Sequence, residues 1–365
     1  MQTDPSSQPV LAAVQSVKAK FAPDPHLAIF NVTVARKGDE VVLKGDVENA
    51  AAKTAVLAAV AATGVNAVDE VQVLPNPDLG DRTWGIATVS VVNVREKPGH
   101  ASEMGTQILM GNVFRVWDQT TNWFLVQSAD GYPGWSEGGG FLVCTREEAD
   151  AWNASPLLIV TAFEERILEE RDADSLPVAD VVMGCLVKYV GQTADWLKVQ
   201  LADGRVGYMP KKSAVDYAEW RASRHATPDN IERTAKSFLG RPYFWGCNSI
   251  RGMDCSGLTK LVFFLNGVDL HRNSAQQMAD GADVPIDSDF KNLKKGDLLF
   301  FGRRARGGMP EKITHVGIYL GDKLFIQSAG SVRISSLDPD SPLRDPKRTR
   351  SLLHARRVLR STTSS

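Results

Sequence analysis

The stretch with the most chemical potential is Asp254-Cys255-Ser256-Gly257, which runs into Leu258-Thr259-Lys260-Leu261-Val262-Phe263-Phe264-Leu265. Apolar residues recur there at three- and four-residue spacing, which predicts a buried amphipathic helix. Asp254 is placed to cap it, and Gly257 falls in its first turn. The Cys255 sulfur then lies at a helix N-terminus, where unpaired N–H groups and the helix dipole favour a thiolate, the nucleophile of a cysteine hydrolase. A lone cysteine in such a helix is more commonly an inert buried thiol. The sharper reading therefore requires a base, a group that orients it and a cleft.

A candidate base follows in Ile313-Thr314-His315-Val316-Gly317-Ile318-Tyr319-Leu320-Gly321, which pairs with Lys323-Leu324-Phe325-Ile326-Gln327-Ser328-Ala329 in an expected hairpin around Gly321-Asp322. His315 on such a strand can take a thiol proton and return it to a leaving amine, while the Cys255 N–H can donate to the oxyanion. The null for His315 is a satisfied core histidine. His100, His225, His271 and His354 have no comparable context. Upstream, Pro228-Asp229-Asn230 can cap a helix through Phe238, closed by Gly240. Leu293-Lys294-Lys295-Gly296-Asp297-Leu298-Leu299-Phe300-Phe301 reads as a turn into a buried strand.

The totals describe an ordinary folded chain. It has 365 residues, 43% hydrophobic and 23% charged, with a net charge of -1. That charge gives no argument for nucleic-acid binding. No run approaches the about 18 apolar residues of a transmembrane helix. Four scattered cysteines (Cys144, Cys185, Cys247, Cys255) make neither a disulfide framework nor CxxC metal spacing, so no metal or cofactor is expected. Met1-Gln2-Thr3-Asp4-Pro5-Ser6-Ser7 lacks the basic start and apolar core of a secretory signal. The expected location is cytoplasmic if Met1 is native, or the bacterial envelope or periplasm if a leader has been removed.

The expected fold is multidomain α+β. Residues 9–75 read as helix, strand, strand, helix, strand, an order that looks like the BON domain, usually found in the bacterial envelope. An anonymous α+β spacer is the alternative. Pro75-Asn76-Pro77-Asp78-Leu79-Gly80-Asp81 reads as a linker. Residues 84–147 become all-β, and Val92-Asn93-Val94-Arg95-Glu96-Lys97-Pro98 resembles the opening of bacterial SH3-like domains. Trp196-Leu197-Lys198-Val199-Gln200 then repeats Trp123-Phe124-Leu125-Val126-Gln127, and Gly207-Tyr208 repeats Gly134-Trp135. This predicts a second small barrel over 156–217 that has lost the Asn-Val-Arg phrase. Residues 215–224 read as a helical connector.

Residues 226–361 resemble the NlpC family of bacterial cell-wall cysteine peptidases, which have a papain-like fold. The carriers are Tyr243…Trp245-Gly246, Asp254-Cys255-Ser256-Gly257, Lys295-Gly296-Asp297-Leu298 and Thr314-His315-Val316-Gly317-Ile318-Tyr319. With SH3-like domains ahead of them, the layout is similar to γ-D-glutamyl-L-diamino-acid endopeptidases of the dipeptidyl-peptidase VI type, which act in murein-peptide turnover. The resemblance implies Cys255 as nucleophile and His315 as base. Where the family usually has a histidine to orient the base, this chain has Gln327. Its carbonyl can accept the imidazole N–H and fix the tautomer, though a neutral group stabilises an imidazolium less than a charged one.

The resemblance further implies that Glu103 binds the free amine of a terminal alanine, with Tyr132 lining the cleft; Glu96 is the competing carboxylate. The nulls are a solvated carboxylate and a barrel-core aromatic. Trp245, Asp254, Ser256 and Ser274 match positions that line the family's substrate groove, although Ser274 can instead cap the following Gln276-Gln277-Met278 helix. The basic run Arg303-Arg304-Ala305-Arg306 with Lys312 is a solvated loop by default, or an attractor for peptide carboxylates. The expected partner is a murein stem peptide, L-Ala-γ-D-Glu-diamino acid, with envelope association through the N-terminal module. The alternatives are an inactive murein-binding protein, and an amidase or acyltransferase using the same dyad.

Overall fold

A computed structural model describes residues 8–38 and 40–359. Met1–Ser7, Asp39 in the expected first hairpin, and residues 360–361 of the expected C-terminal domain lie outside the described residues. The chain is multidomain α+β and divides into two compact units. One takes in residues up to 86, 94–102 and 113–153; the other takes in 87–93, 103–112 and 154 onward.

In the first unit, helices Gln8–Phe21 and Ala50–Ala61 accompany a three-stranded sheet ordered Thr33–Lys37, Glu40–Val47, Ala67–Val73. The first pair is antiparallel and the second parallel. Val10, Val14 and Val17 are buried at helical spacing with Val56, Val60 and Leu43, so the periodicity of the sequence becomes the core of this module. Asn49 caps the second helix by accepting the Ala52 N–H at 3.0 Å. The stretch expected as a linker contains a short 3₁₀ turn, Pro77–Leu79, and the Asn76 N–H donates to the Trp117 carbonyl at 2.7 Å. Strands Val113–Thr120, Trp123–Gln127 and Pro133–Glu137 form an antiparallel meander.

In the second unit, seven antiparallel strands form a sheet ordered Pro177–Val182, Glu164–Leu168, Val206–Pro210, Trp196–Gln200, Leu186–Gln192, Leu157–Val160, Ala214–Asp216. The internal repeat holds in register: Leu125 faces Trp135 in the earlier meander, and Lys198 faces Tyr208 here. The connector after this sheet is shorter than expected, Tyr217–Ala222, because residues 214–216 complete the sheet.

The C-terminal part carries a six-stranded sheet ordered Ala282–Asp283, Leu352–Arg357, Leu298–Arg303, Lys312–Gly321, Leu324–Ala329, Ser331–Ser336. Alternation along its strands separates two cores. Leu298, Phe300, Val316, Ile318 and Ile326 join the helical side, whereas Leu299, Phe301, Tyr319 and Phe325 make a second cluster. Helix Cys255–Phe264 lays Leu258, Leu261 and Val262 against the first group. Each such buried side chain contributes about 1.5–3 kcal/mol. Gly257 permits the close approach, since a Cβ there would lie 2.2 Å from the Cys247 carbonyl oxygen. Helix Pro228–Ser237 is capped by Thr227, one residue ahead of the expected start. The hairpin turn is Asp322-Lys323, both at positive φ, one position beyond the expected centre. Among the described residues, no helix is long and apolar enough to cross a membrane.

Candidate active site

Cys255 opens its helix behind Asp254, whose extended backbone and side chain form the cap. Asp254 Oδ1 accepts the Gly257 N–H at 2.6 Å, and Oδ2 accepts the Gly246 N–H at 3.0 Å. Gly246 has φ +74°, and a Cβ there would lie 2.3 Å from the Met104 carbonyl oxygen, so no other residue fits this turn without displacing backbone. The carboxylate is forked by Arg272, 2% exposed, with Nη2 donating to Oδ2 at 2.8 Å and Nη1 to Oδ1 at 3.2 Å. Arg272 also donates to Ser256 Oγ at 3.1 Å and to Thr106 Oγ1 at 3.0 Å. Ser256 Oγ in turn donates to Asp254. A buried charge pair of this kind holds only when all its hydrogen-bonding groups are met, and here they are shared among four residues.

The Cys255 sulfur is buried, and its helix packs against the strand that carries His315. Burial, then the negative Asp254, push the thiol up to about 11; the backbone N–H groups of Val316 and Ser256, and Arg272, pull the other way. Burial pushes the His315 imidazole down to about 3, with Arg348 adding to the fall. Burial therefore works against the charged forms of both groups and opposes the thiolate that the helix terminus favours. Desolvation of the charged forms outweighs the few N–H dipoles of one helix start.

His315 Nε2 lies 2.7 Å from Gln327 Oε1. The direction of that bond follows from the rest of the amide. Gln327 Nε2 donates to Asp345 Oδ2 at 3.1 Å and to Ser335 Oγ at 2.8 Å, so Oε1 is the acceptor and Nε2 of His315 carries the proton. Nδ1 is left with its lone pair, the state a base requires. Arg348 Nε donates to the same Gln327 oxygen at 3.1 Å. Burial raises the Asp345 carboxyl, but hydrogen bonds from the Arg348 backbone and Gln327, together with Arg348 and Arg333, hold it below its usual value. The neutral glutamine thus has a carboxylate behind its N–H₂ and a guanidinium on its carbonyl. Tyr243 lies on the loop ahead of Asp254: burial raises its phenol, and Cys255 when ionised and Asp254 raise it further. Tyr243, Arg272, Asp345 and Arg348 were not read as site residues. Tyr243 lies inside a phrase quoted above; Arg272, Asp345 and Arg348 belong to none.

The structure therefore brings together Cys255, His315, Gln327, Asp254 and Ser256. Trp245 is 59% exposed on the loop ahead of Asp254. Ser274 lies half-buried beside Arg272, and the short helix Gln276–Ala279 is held by Asn273, which exchanges hydrogen bonds with Gln276, not by Ser274. Glu103 is exposed immediately ahead of strand Met104–Leu109, whose first residue touches Gly246. Tyr132 is buried and its ring stacks on His26 at 5.3 Å. Glu96 is exposed, as are Arg303, Arg304, Arg306 and Lys312. Asp297 of the Lys-Gly-Asp phrase is structural: it takes a bidentate fork from Arg357 at 2.7 and 2.8 Å. None of the four cysteines is in a disulfide, and among the described residues no three metal-ligating side chains gather.

Residues 240–350 match the NlpC/P60 family. That stretch is an NlpC/P60 domain, and it contains Cys255, His315 and Gln327. Residues 94–136 match the bacterial dipeptidyl-peptidase Sh3 domain and residues 32–75 the BON-like domain. The chain is 28% identical over 272 residues to dipeptidyl-peptidase 6 of Lysinibacillus sphaericus, covering 71% of this chain and 93% of that one. It is also 28% identical over 248 residues to the gamma-D-glutamyl-L-lysine dipeptidyl-peptidase of Bacillus cereus, covering 66% and 72%. An NlpC/P60 family protein from Bacillus cereus shares the fold, with TM-score 0.65 and 23% identity over 76% of this chain and all of that one.

Proposed function

We propose that this protein is a cysteine peptidase that cuts the bond between γ-D-Glu and a diamino acid in peptidoglycan stem peptides with a free N-terminal L-Ala. The observation that carries the reading is the Cys255 helix lying against the His315 strand, with His315 oriented by Gln327. The two relatives named as dipeptidyl-peptidases support the bond and the substrate class.

In this reading the Cys255 proton passes to His315 Nδ1 as the sulfur attacks the γ-carbonyl. Burial opposes both charged forms, and the thiolate–imidazolium attraction offsets that cost. The Cys255 N–H, at a helix start with no intrahelical acceptor, donates to the oxyanion. The C–N bond then breaks, His315 protonates the leaving amine, and a thioester remains on Cys255. Water, deprotonated by His315, hydrolyses it to release L-Ala-D-Glu and regenerate the thiol. Glu103 holds the terminal ammonium.

Incubation with L-Ala-γ-D-Glu-diaminopimelate should release L-Ala-D-Glu, and Cys255→Ala should abolish release. An absence of product, or lactyl-free stem peptides released from intact murein instead, overturns the assignment. Acetylating the substrate's amine should abolish cleavage; an unchanged rate removes Glu103 from the account.

A further inference from the structure

One cation at the site has no task in the chemistry above. Arg348 comes from the short helix Pro346–Ser351 and is half-buried. Its Nε donates to Gln327 Oε1 at 3.1 Å, the oxygen that also takes His315 Nε2 at 2.7 Å. Its guanidinium lies 5.8 Å from the Phe301 ring, and the His315 ring lies 5.7 Å from the same phenyl. Arg348 and the imidazole are thus neighbours on one oxygen and one aromatic. The terminal Nη1 and Nη2 make no hydrogen bond or ion pair among the described residues. The nearby carboxylate is already engaged: Asp345 accepts from Gln327 and from the Arg348 backbone N–H, and lies 3.6 Å from Arg333. Arg272, across the site, has its fork filled by Asp254.

The base must reach the leaving amine to protonate it, so the residue being released occupies the base's side of the cleft. Arg348 is on that side. A half-buried guanidinium with an open two-nitrogen edge matches a carboxylate in geometry and charge. We propose that Arg348 is a carboxylate-binding group for the leaving diamino acid. This rests on the peptidase reading above and gives that reading a selectivity: peptides whose released residue carries a suitably placed carboxylate are cut faster. Two sources share this chemistry, the α-carboxylate of a C-terminal diamino acid and the distal carboxylate of diaminopimelate.

The experiment measures kcat/KM of the full chain on four peptides: L-Ala-γ-D-Glu followed by diaminopimelate or by lysine, each with its α-carboxyl free or amidated. In the native protein, loss of the recognised carboxylate should cost about tenfold or more, the size of a charge-assisted hydrogen bond. A fall on amidation of both series identifies the α-carboxylate; a fall from diaminopimelate to lysine identifies the distal one. Arg348→Met should flatten the ratio to near one, and Arg348→Lys should keep part of it. Removing the bond to Gln327 slows all four peptides alike and cancels in the ratio. A flat ratio in the native protein, or an unchanged ratio in Arg348→Met, overturns the proposal while leaving the peptidase reading intact. Failure to cut any of the four peptides overturns both.

Discussion

The two walls of the site use charge in opposite ways. On the nucleophile's wall, Arg272 and Asp254 are both buried and fully matched, and they bolt the start of the Cys255 helix to Ser256 and Thr106. On the base's wall, the residue that touches His315 is neutral, and the charges stand one step back, on Asp345 and Arg348. The first wall spends charge on position, because a buried pair contributes little net stability yet is costly to break. The second spends it on orientation, because an amide pinned at both ends can present only its oxygen to the imidazole.

This contrast can be broken by substitution. Arg272→Met leaves the Asp254 carboxylate buried without its partner, and should cost about 3–5 kcal/mol of unfolding free energy. Denaturant titration checks it, and a loss of activity with unchanged stability would mean the pair serves the substrate instead. Gln327→Ala should lower kcat of the folded protein about a hundredfold, as expected when a general base loses its orientation. Gln327→His should recover much of that loss, which would separate orientation from packing. A smaller effect, about tenfold on kcat, is expected for Asp345→Asn, since one charge-assisted bond to the amide is weakened. Equal losses for Gln327→Ala and Asp345→Asn would show that the carboxylate, not the amide, sets the base.

Acidity sharpens the same comparison with the smallest effect at neutral pH. His315 is held neutral down to about 3, whereas an unfolded histidine protonates near 6.5. Its contribution to stability is present above that unfolded value and is lost as pH falls through the window between the two. Stability measured from pH 7 to 4 should therefore fall less steeply in His315→Gln than in the native chain.

Much of the nucleophile's wall was legible in the sequence. Asp254 caps the helix as its position implied, and Gly257 is where the backbone packs too closely for a side chain. The base strand and its glutamine partner were legible as a hairpin, with the turn displaced by one residue. Arg272 was not, because a lone arginine reads as surface until a buried carboxylate is known to face it. Asp345 and Arg348 were illegible for a different reason: they reach Gln327 from a short helix that belongs to no recurring phrase, and only tertiary folding brings them there. The burial of the thiol was illegible because helix polarity is local and visible in sequence, whereas desolvation depends on the whole domain.

The central claim is that Cys255 forms a thioester with the γ-glutamyl carbonyl. Acid-quenching the protein during turnover of L-Ala-γ-D-Glu-diaminopimelate and weighing it intact tests this directly. The account predicts an adduct of one L-Ala-D-Glu acyl group located on Cys255 and absent from Cys255→Ala. Release of L-Ala-D-Glu that proceeds without any such adduct, and persists in Cys255→Ala, would contradict it.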